Sequence, residues 1–113
     1  MTTNNANSTE AVIKKQLADN PVILYMKGTP EAPECGFSGA AVAALKQTGK
    51  PFAYVNILQA PFIRERLPKV SNWPTFPQLF INGELVGGSD IVVAMVADGS
   101  LIPMLEQAHA GTN

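Results

Sequence analysis

The order of apolar and polar positions predicts a helix followed by a buried strand in the first quarter of the chain. From residue 12 to residue 17 the apolar positions recur at helical spacing, and Asn7 with Glu10 resembles a helix cap with its reciprocal acid. The helix is expected to stop before Asn20, because a residue that precedes proline disfavours helical backbone. Five consecutive apolar residues over 22–26 then predict a strand that is covered on both faces.

The rest of the chain alternates between helical and extended patterns. Residues 27–34 hold one glycine and two prolines and are predicted to form a loop. Asn82-Gly83, between two short apolar runs, is a favoured hairpin turn. The other predicted elements, in chain order, are a helix over residues 40–46 that stops near Gly49, a strand over 52–57, a helix over 61–67 with Pro61 in its first turn, hairpin strands over 79–81 and 85–86, a helix over 91–97 capped by Ser89-Asp90, and a helix from Ser100 through Leu105.

This order of elements predicts an α/β fold. A helix joins the first two strands, which implies a right-handed parallel crossover, and the last two strands form an antiparallel hairpin. The result is a four-stranded mixed sheet with helices on both faces. One domain is expected over residues 7–108, between a flexible tail over 1–6 and a second tail over 109–113.

Composition excludes several classes of function. The chain has 113 residues, 46% of them hydrophobic, and a net charge of −1, so it offers no electrostatic basis for binding nucleic acid or an anionic membrane. Its apolar runs are too short to span a bilayer, and residues 1–9 lack the basic and apolar regions of a signal peptide. A cytoplasmic location is therefore expected, and a single cysteine without an internal disulfide partner fits a reducing compartment.

Cys35 is the residue on which the candidate chemistry depends. It lies between a predicted loop and a predicted helix, where free N–H groups and the helix dipole favour an anion. A thiol at such a position is partly converted to thiolate, the form that attacks disulfides and binds metals. Lys27, at the other end of the loop, can add a positive charge. The alternative is a buried structural cysteine, because free cysteines are often buried.

Three ordered segments resemble the monothiol glutaredoxins over roughly residues 9–108. The segment Cys35-Gly36-Phe37-Ser38 is similar to their active-site signature, and Lys27-Gly28-Thr29 precedes it at the right spacing. The other two similar segments are Trp73-Pro74-Thr75-Phe76-Pro77-Gln78 and Gly87-Gly88-Ser89-Asp90. The resemblance is to the short single-domain bacterial type and implies a thioredoxin-like fold.

The resemblance also implies a glutathione site around Cys35. Lys27 and Arg64 match residues that pair with the glycine carboxylate of glutathione, although Arg66 lies nearby and either arginine could be a surface charge. Phe76-Pro77 matches a segment with a cis proline, whose Phe76 backbone would pair with the cysteinyl part of glutathione. The remaining implied glutathione contacts are Gly36, Phe37, Thr75, Gly88, Ser89 and Asp90.

Two of these implied residues have a simpler alternative. Ser89 and Asp90 match residues that take the γ-glutamyl end, but they can equally be a helix cap. Trp73 is interpreted as a packing residue and is not assigned to catalysis. Phe37 either packs beside the thiol or faces the core.

The missing second thiol separates two hypotheses of function. Dithiol glutaredoxins have a cysteine where this chain has Ser38, and many monothiol members have one at the position of Ser89. A [2Fe–2S] cluster normally needs four thiolates, so the first hypothesis is a cluster bridging two chains, with Cys35 as the metal ligand of each chain and two bound glutathiones as the others. Such a protein is a homodimer with the cluster and a monomer without it. The resemblance implies transfer of the cluster to apo iron–sulfur proteins, with a BolA-type partner.

The second hypothesis is a glutathione-dependent thiol–disulfide oxidoreductase that uses Cys35 alone. The resemblance implies that such activity is weak, so the protein is expected to be mainly a cluster carrier. A third possibility is a redox sensor or interaction module in which Cys35 is modified but transfers nothing.

Overall fold

The computed structural model describes residues 5–111, with side chains from Ser8 onward. Residues 1–4 and 112–113 of the two predicted tails lie outside the described residues. In chain order the elements are α1 (Asn5–Asp19), β1 (Val22–Met26), β2 (Gly28–Thr29), β3 (Ala32–Pro33), α2 (Gly36–Gln47), β4 (Ala53–Asn56), a 3-10 turn (Ile57–Gln59), α3 (Pro61–Ser71), β5 (Gln78–Ile81), β6 (Glu84–Gly87), α4 (Ser89–Ala97) and α5 (Leu101–Ala110).

Four strands form one mixed sheet in the order β4-β1-β5-β6. β1 runs parallel to β4 and antiparallel to β5, which confirms the parallel pairing predicted for the two strands on either side of α2. β5 and β6 form the predicted hairpin, and its turn residues Asn82 and Gly83 both have positive φ, 51° and 80°. Every residue of β1 is buried, as the run of five apolar residues predicted.

The two faces of the sheet carry two separate apolar clusters, because successive strand side chains point to opposite faces. On one face, Val22, Leu24 and Met26 pack against residues of α2, α4 and α5. On the other face, Ile23 and Tyr25 pack against residues of α1 and α3. Helices therefore cover both faces, and the predicted α/β architecture is confirmed.

Several helix boundaries differ from the sequence prediction. α2 begins at Gly36 rather than near residue 40, so Cys35 immediately precedes it. α3 continues past residue 67 to Ser71 although Pro68 lies within it. Pro68 cannot donate to the preceding turn, but its own carbonyl accepts the N–H of Trp73 at 3.2 Å, and Asn72 ends the helix in the left-handed conformation.

The ends of the chain are more helical than predicted. Within the described residues α1 starts at Asn5, so the predicted cap at Asn7 is wrong, and Asn5 and Ala6 of the predicted tail belong to the helix. α5 extends to Ala110, past the predicted end at Leu105, and its His109 Nε2 lies 2.8 Å from the Pro51 carbonyl oxygen. Within the described range no single helix is long and apolar enough to cross a membrane, and α4 with α5 meets the criteria of length and composition only as a pair bent by 96°.

The loop over residues 27–34 is more regular than predicted. It contains the short antiparallel ribbon of β2 and β3. The N–H of Glu34 donates to the Lys27 carbonyl at 2.9 Å, which returns the chain to the point where it left β1. Cys35 is therefore held next to the end of the buried central strand.

Candidate functional site

Cys35 is the N-cap residue of α2, with φ −158° and ψ 136°. Its side chain is partly exposed, so the alternative of a buried structural cysteine is wrong. The extended backbone at Cys35 places the sulfur beside the first free N–H groups of the helix. The sequence prediction of a thiol at a helix N-terminus is confirmed.

The surroundings of the thiol favour its ionised form. The backbone N–H of Ser38 is the main cause that lowers the pKa of Cys35, with smaller contributions from the N–H of Phe37, the charge of Lys27 and the Ser38 hydroxyl. Burial opposes these effects but is outweighed by them. Because the thiolate is the nucleophile and the metal ligand, the lowered pKa increases the fraction of Cys35 in its reactive form.

Ser38 connects the strand that precedes the site to the helix that follows it. Its side chain is completely buried, and its Oγ accepts the backbone N–H of Lys27 at 3.0 Å. The hydroxyl thus fixes Lys27 beside Cys35. It is a structural link and has no exposed surface through which it could act on a substrate.

Replacing Lys27 with alanine is expected to raise the pKa of Cys35, because one positive charge beside the thiolate is lost. The thiolate fraction of Cys35 at neutral pH then falls. The midpoint of the Cys35 titration is measured from thiolate absorbance across pH. The folded-state pKa lies below the unfolded one, so the thiolate stabilises the fold above the unfolded pKa, and this contribution disappears as the pH falls through the folded pKa. Lys14→Ala, which removes an exposed lysine on α1, is the control; equal midpoints for Lys27→Ala and wild type would contradict the assignment.

A groove with a volume of about 600 Å³ opens beside Cys35. Four segments that are distant in the sequence form it: the end of β1, the start of α2, α3 with the loop after it, and the start of α4. Its lining contains ten of the predicted residues, namely Lys27, Cys35, Phe37, Arg64, Thr75, Phe76, Pro77, Gly88, Ser89 and Asp90. It also contains four that were not assigned a role in binding, namely Pro68, Trp73, Pro74 and Ile91.

Spacing along the chain could have identified two of those four. Pro68 follows Arg64 by four residues and therefore shares its helix face. Ile91 occupies the first turn of α4 together with Ser89. Trp73 packs against Gly88, because a Cβ added at Gly88 would lie 3.2 Å from the Trp73 Nε1 atom. Trp73 therefore has the predicted packing role and also forms part of the groove wall.

Gly36 is the one predicted residue that does not line the groove. It lines an adjoining hollow of about 640 Å³ on the α2–α4 side of Cys35. Phe37 lines both spaces and is 66% exposed, so it does not face the core. Cys35 therefore lies between a mixed polar groove and an apolar surface that also includes Val93.

The two arginines of α3 have different partners. Arg66 pairs with Glu10 of α1, its Nε donating to Oε2 at 2.7 Å and its Nη2 to the same oxygen. Arg64 lines the groove instead. Of the two arginines, Arg64 is thus the one beside the groove, and Arg64 and Lys27 are the cations of the groove lining.

The first turn of α4 supplies N–H groups to the groove. The N-cap residue is Gly88, so the predicted capping by Ser89 and Asp90 is wrong, and no side-chain cap bonds to this helix start. Ser89 and Asp90 are the first two helical residues and both line the groove. Uncapped N–H groups at a helix start attract an anion, while the Asp90 carboxylate can accept from an ammonium.

The wall between α3 and β5 contains a cis peptide bond at Phe76-Pro77. The sequence alone did not decide between cis and trans, and the structure has the cis isomer that the family resemblance implied. Gln78, completely buried, donates from Nε2 to the carbonyls of Trp73 at 2.9 Å and Thr75 at 3.1 Å. These bonds hold the loop in place as one side of the groove.

One groove thus brings together a single thiol of lowered pKa, two cations and a helix start without a side-chain cap, which are groups that favour an anionic ligand. The fold and these positions identify its class: the chain belongs to the glutaredoxin family, whose sequence profile matches residues 22–86. Because Ser38 stands in the motif where dithiol members have a second cysteine, it is a monothiol member.

The chain is similar in particular to proteins named Glutaredoxin 4. That of Buchnera aphidicola subsp. Acyrthosiphon pisum is 62% identical over 89 residues, which cover 79% of this chain and 82% of that protein. The solution structure of reduced poplar apo GrxS14 has a TM-score of 0.77 at 42% identity and covers 91% of this chain and 94% of its own. The crystal structure of a buckwheat glutaredoxin–glutathione complex shares the fold, with a TM-score of 0.83 at 24% identity over 97% of this chain and 98% of its own.

Proposed function

We propose that the groove binds glutathione with its sulfur next to Cys35. Glutathione carries two carboxylates and one ammonium, and the groove offers Lys27 and Arg64 for the glycine carboxylate. The uncapped start of α4 suits the γ-glutamyl carboxylate, and Asp90 suits the ammonium. The observation that carries the proposal is the placement of these groups around one groove beside a single low-pKa thiol.

The cysteinyl part of glutathione is assigned to the segment around the cis proline. The backbone N–H and C=O of Phe76 would pair with it as one more rung of a sheet, with Thr75 and Pro77 beside it. In support, the buckwheat protein of the same fold was solved as a glutathione complex.

We further propose that glutathione-bound protein holds a [2Fe–2S] cluster between two chains. Such a cluster needs four thiolates, and Cys35 is the only cysteine of the chain. Among the described residues no group of three or more His, Cys, Asp or Glu residues could bind a metal. The residues therefore fit a cluster that is shared between two chains, and in a homodimer two Cys35 thiolates and two glutathione thiolates make up the four.

In that homodimer each part of the site has a separate task. Cys35 ligates iron as a thiolate, while Lys27 and Arg64 hold the glutathione that supplies the neighbouring ligand. The exposed Phe37 and Val93 beside Cys35 offer apolar surface for the second chain. When bound, the cluster supplies iron and sulfide that other proteins can accept, since two of its four ligands are exchangeable small molecules.

The biological role proposed from this chemistry is iron–sulfur cluster assembly and transfer, with iron and redox homeostasis. Apo iron–sulfur proteins are the expected recipients, and a BolA-type protein is the expected alternative partner in place of one protomer. The protein would be a monomer without the cluster and would act in the cytoplasm.

The direct test is anaerobic reconstitution of the purified protein with iron, sulfide and glutathione, followed by visible absorbance and sizing. A red-brown dimer is expected, and the same protein without glutathione should stay colourless and monomeric. A coloured monomer, or full colour without glutathione, would contradict the shared-ligand arrangement.

The lowered pKa of Cys35 also supports a second candidate function, reduction of glutathionylated proteins. The Cys35 thiolate attacks the glutathione sulfur of a mixed disulfide, the protein thiolate leaves and takes up a proton, and a Cys35–glutathione disulfide forms. A second glutathione thiolate then attacks this disulfide, releasing oxidised glutathione and the Cys35 thiolate. A colourless protein that rapidly reduces glutathionylated substrates would favour this function over cluster transfer.

A further inference from the structure

Asn56, the last residue of β4, joins two segments of the site through one oxygen atom. Its Oδ1 accepts the backbone N–H of Gly28 at 2.9 Å and that of Leu58 at 3.0 Å. In the sheet Asn56 is registered with Met26, the residue before Lys27. Asn56 itself is not among the residues that line the groove.

The bond from the Gly28 N–H to Asn56 is one of three hydrogen bonds that hold the backbone around Lys27. The N–H of Lys27 donates to Ser38 Oγ, and its C=O accepts from Glu34. Asn56 holds the next N–H along the chain, that of Gly28, which is buried and has φ +91°. Without the Asn56 oxygen this buried donor loses its partner, and the peptide after Lys27 is no longer held on that side.

The second bond belongs to the segment that carries Arg64. Leu58 lies in the 3-10 turn that Asn56 caps. The turn ends at Ala60, whose carbonyl accepts the N–H of Arg64 at 3.0 Å as α3 begins. One side-chain oxygen therefore contacts both the bend that follows Lys27 and the turn that leads to Arg64.

We infer that Asn56 is a positioning residue for carboxylate recognition: it sets the relative placement of Lys27 and Arg64 and thereby the affinity for a ligand carboxylate that both contact. The inference rests on the proposed glutathione site. It assigns the effect to one end of the ligand, the glycine carboxylate. Ligands that lack this negative charge are insensitive to Asn56.

The test compares glutathione with its glycine monoethyl ester, which keeps the thiol and the γ-glutamyl end but loses the charge. Dissociation constants for both are measured by NMR titration of wild type, Asn56→Ala, Asn56→Asp and Asn20→Ala. Asn56→Ala should bind glutathione roughly tenfold more weakly, as expected for a misplaced charge-assisted contact, and should bind the ester as wild type does. Asn56→Asp keeps an oxygen that accepts both N–H groups and should recover part of the affinity that Asn56→Ala loses, while its added negative charge opposes full recovery.

The control and the outcomes separate this inference from the proposed function. Asn20→Ala removes a similar amide bond, to the Gln16 carbonyl at 2.9 Å, and should change neither affinity. If wild-type protein binds glutathione no more tightly than the ester, both the proposed placement of the glycine carboxylate and the inference are overturned. Two results would overturn the inference but leave the proposed function standing. One is that Asn56→Ala still prefers glutathione to the ester as wild type does. The other is that Asn56→Asp loses as much glutathione affinity as Asn56→Ala. If Asn56→Ala does not fold, Asn56→Ser takes its place, because the shorter side chain cannot reach both donors.

Discussion

Replacing Cys35 with serine is expected to abolish cluster binding, dimerisation and thiol exchange together. Cys35 is the only thiol of the chain, so no other residue can take over its role. A serine hydroxyl is not ionised at neutral pH, and it is neither a disulfide nucleophile nor a cluster ligand comparable to thiolate. Cys35→Ser should be colourless and monomeric after anaerobic reconstitution, and its exchange with a glutathionylated substrate should fall to background.

The substitution changes one atom at a partly exposed position, so the fold should persist. Thermal unfolding of Cys35→Ser, measured below the folded-state pKa of Cys35, should therefore match that of wild type. Ser8→Ala is the control, because it removes a hydroxyl at an exposed position of α1 outside the groove lining and leaves the thiol and its surroundings in place. A coloured dimer formed by Cys35→Ser would show that the cluster ligands lie elsewhere.

The second large effect is expected on stability, from replacing Gly28 with alanine. Gly28 has φ +91°, which L side chains rarely adopt, and an added Cβ would lie 2.6 Å from the Ala32 carbonyl oxygen and from the Glu34 backbone nitrogen. Both are backbone atoms, so neither can rotate away as a side chain could. Backbone strain and overpacking together should cost about 3 kcal/mol of unfolding free energy, a large part of the stability of a small domain.

The chain supplies a matched control for that substitution. Gly49 also has positive φ, +73°, but an added Cβ there would meet nothing within 4 Å. Gly49→Ala should therefore cost only the strain contribution, about 1 kcal/mol. Urea unfolding of both variants measures the difference, and equal losses would mean that the contacts around Gly28 are not as tight as described.

The sheet was predictable from sequence because its signals are local. Five apolar residues in a row produced the buried β1, and Asn82-Gly83 produced the hairpin turn. Helix ends were less predictable, because tertiary contacts override weak local signals. α3 continues through Pro68 since a left-handed Asn72 and the bond from Trp73 to Pro68 end it later.

The candidate site was predictable only in part. The loop and helix pattern indicated an activated Cys35 next to Lys27, whereas the other groove residues followed from the family resemblance. The choice between Arg64 and Arg66 depends on Glu10, a residue 56 positions away, so no local pattern contains it. No local pattern predicts the role of Asn56 either, because its bond to Gly28 spans 28 positions.

The two apolar clusters share β1, and this has a consequence for how the protein unfolds. Val22, Leu24 and Met26 belong to one cluster, and Ile23 and Tyr25 to the other. Opening either cluster removes contacts from the strand that also holds the other, so we expect the two layers to unfold together. The chain enters the site directly from this strand, at Lys27. A substitution in either layer that loosens β1 is therefore expected to disturb the thiol site as well.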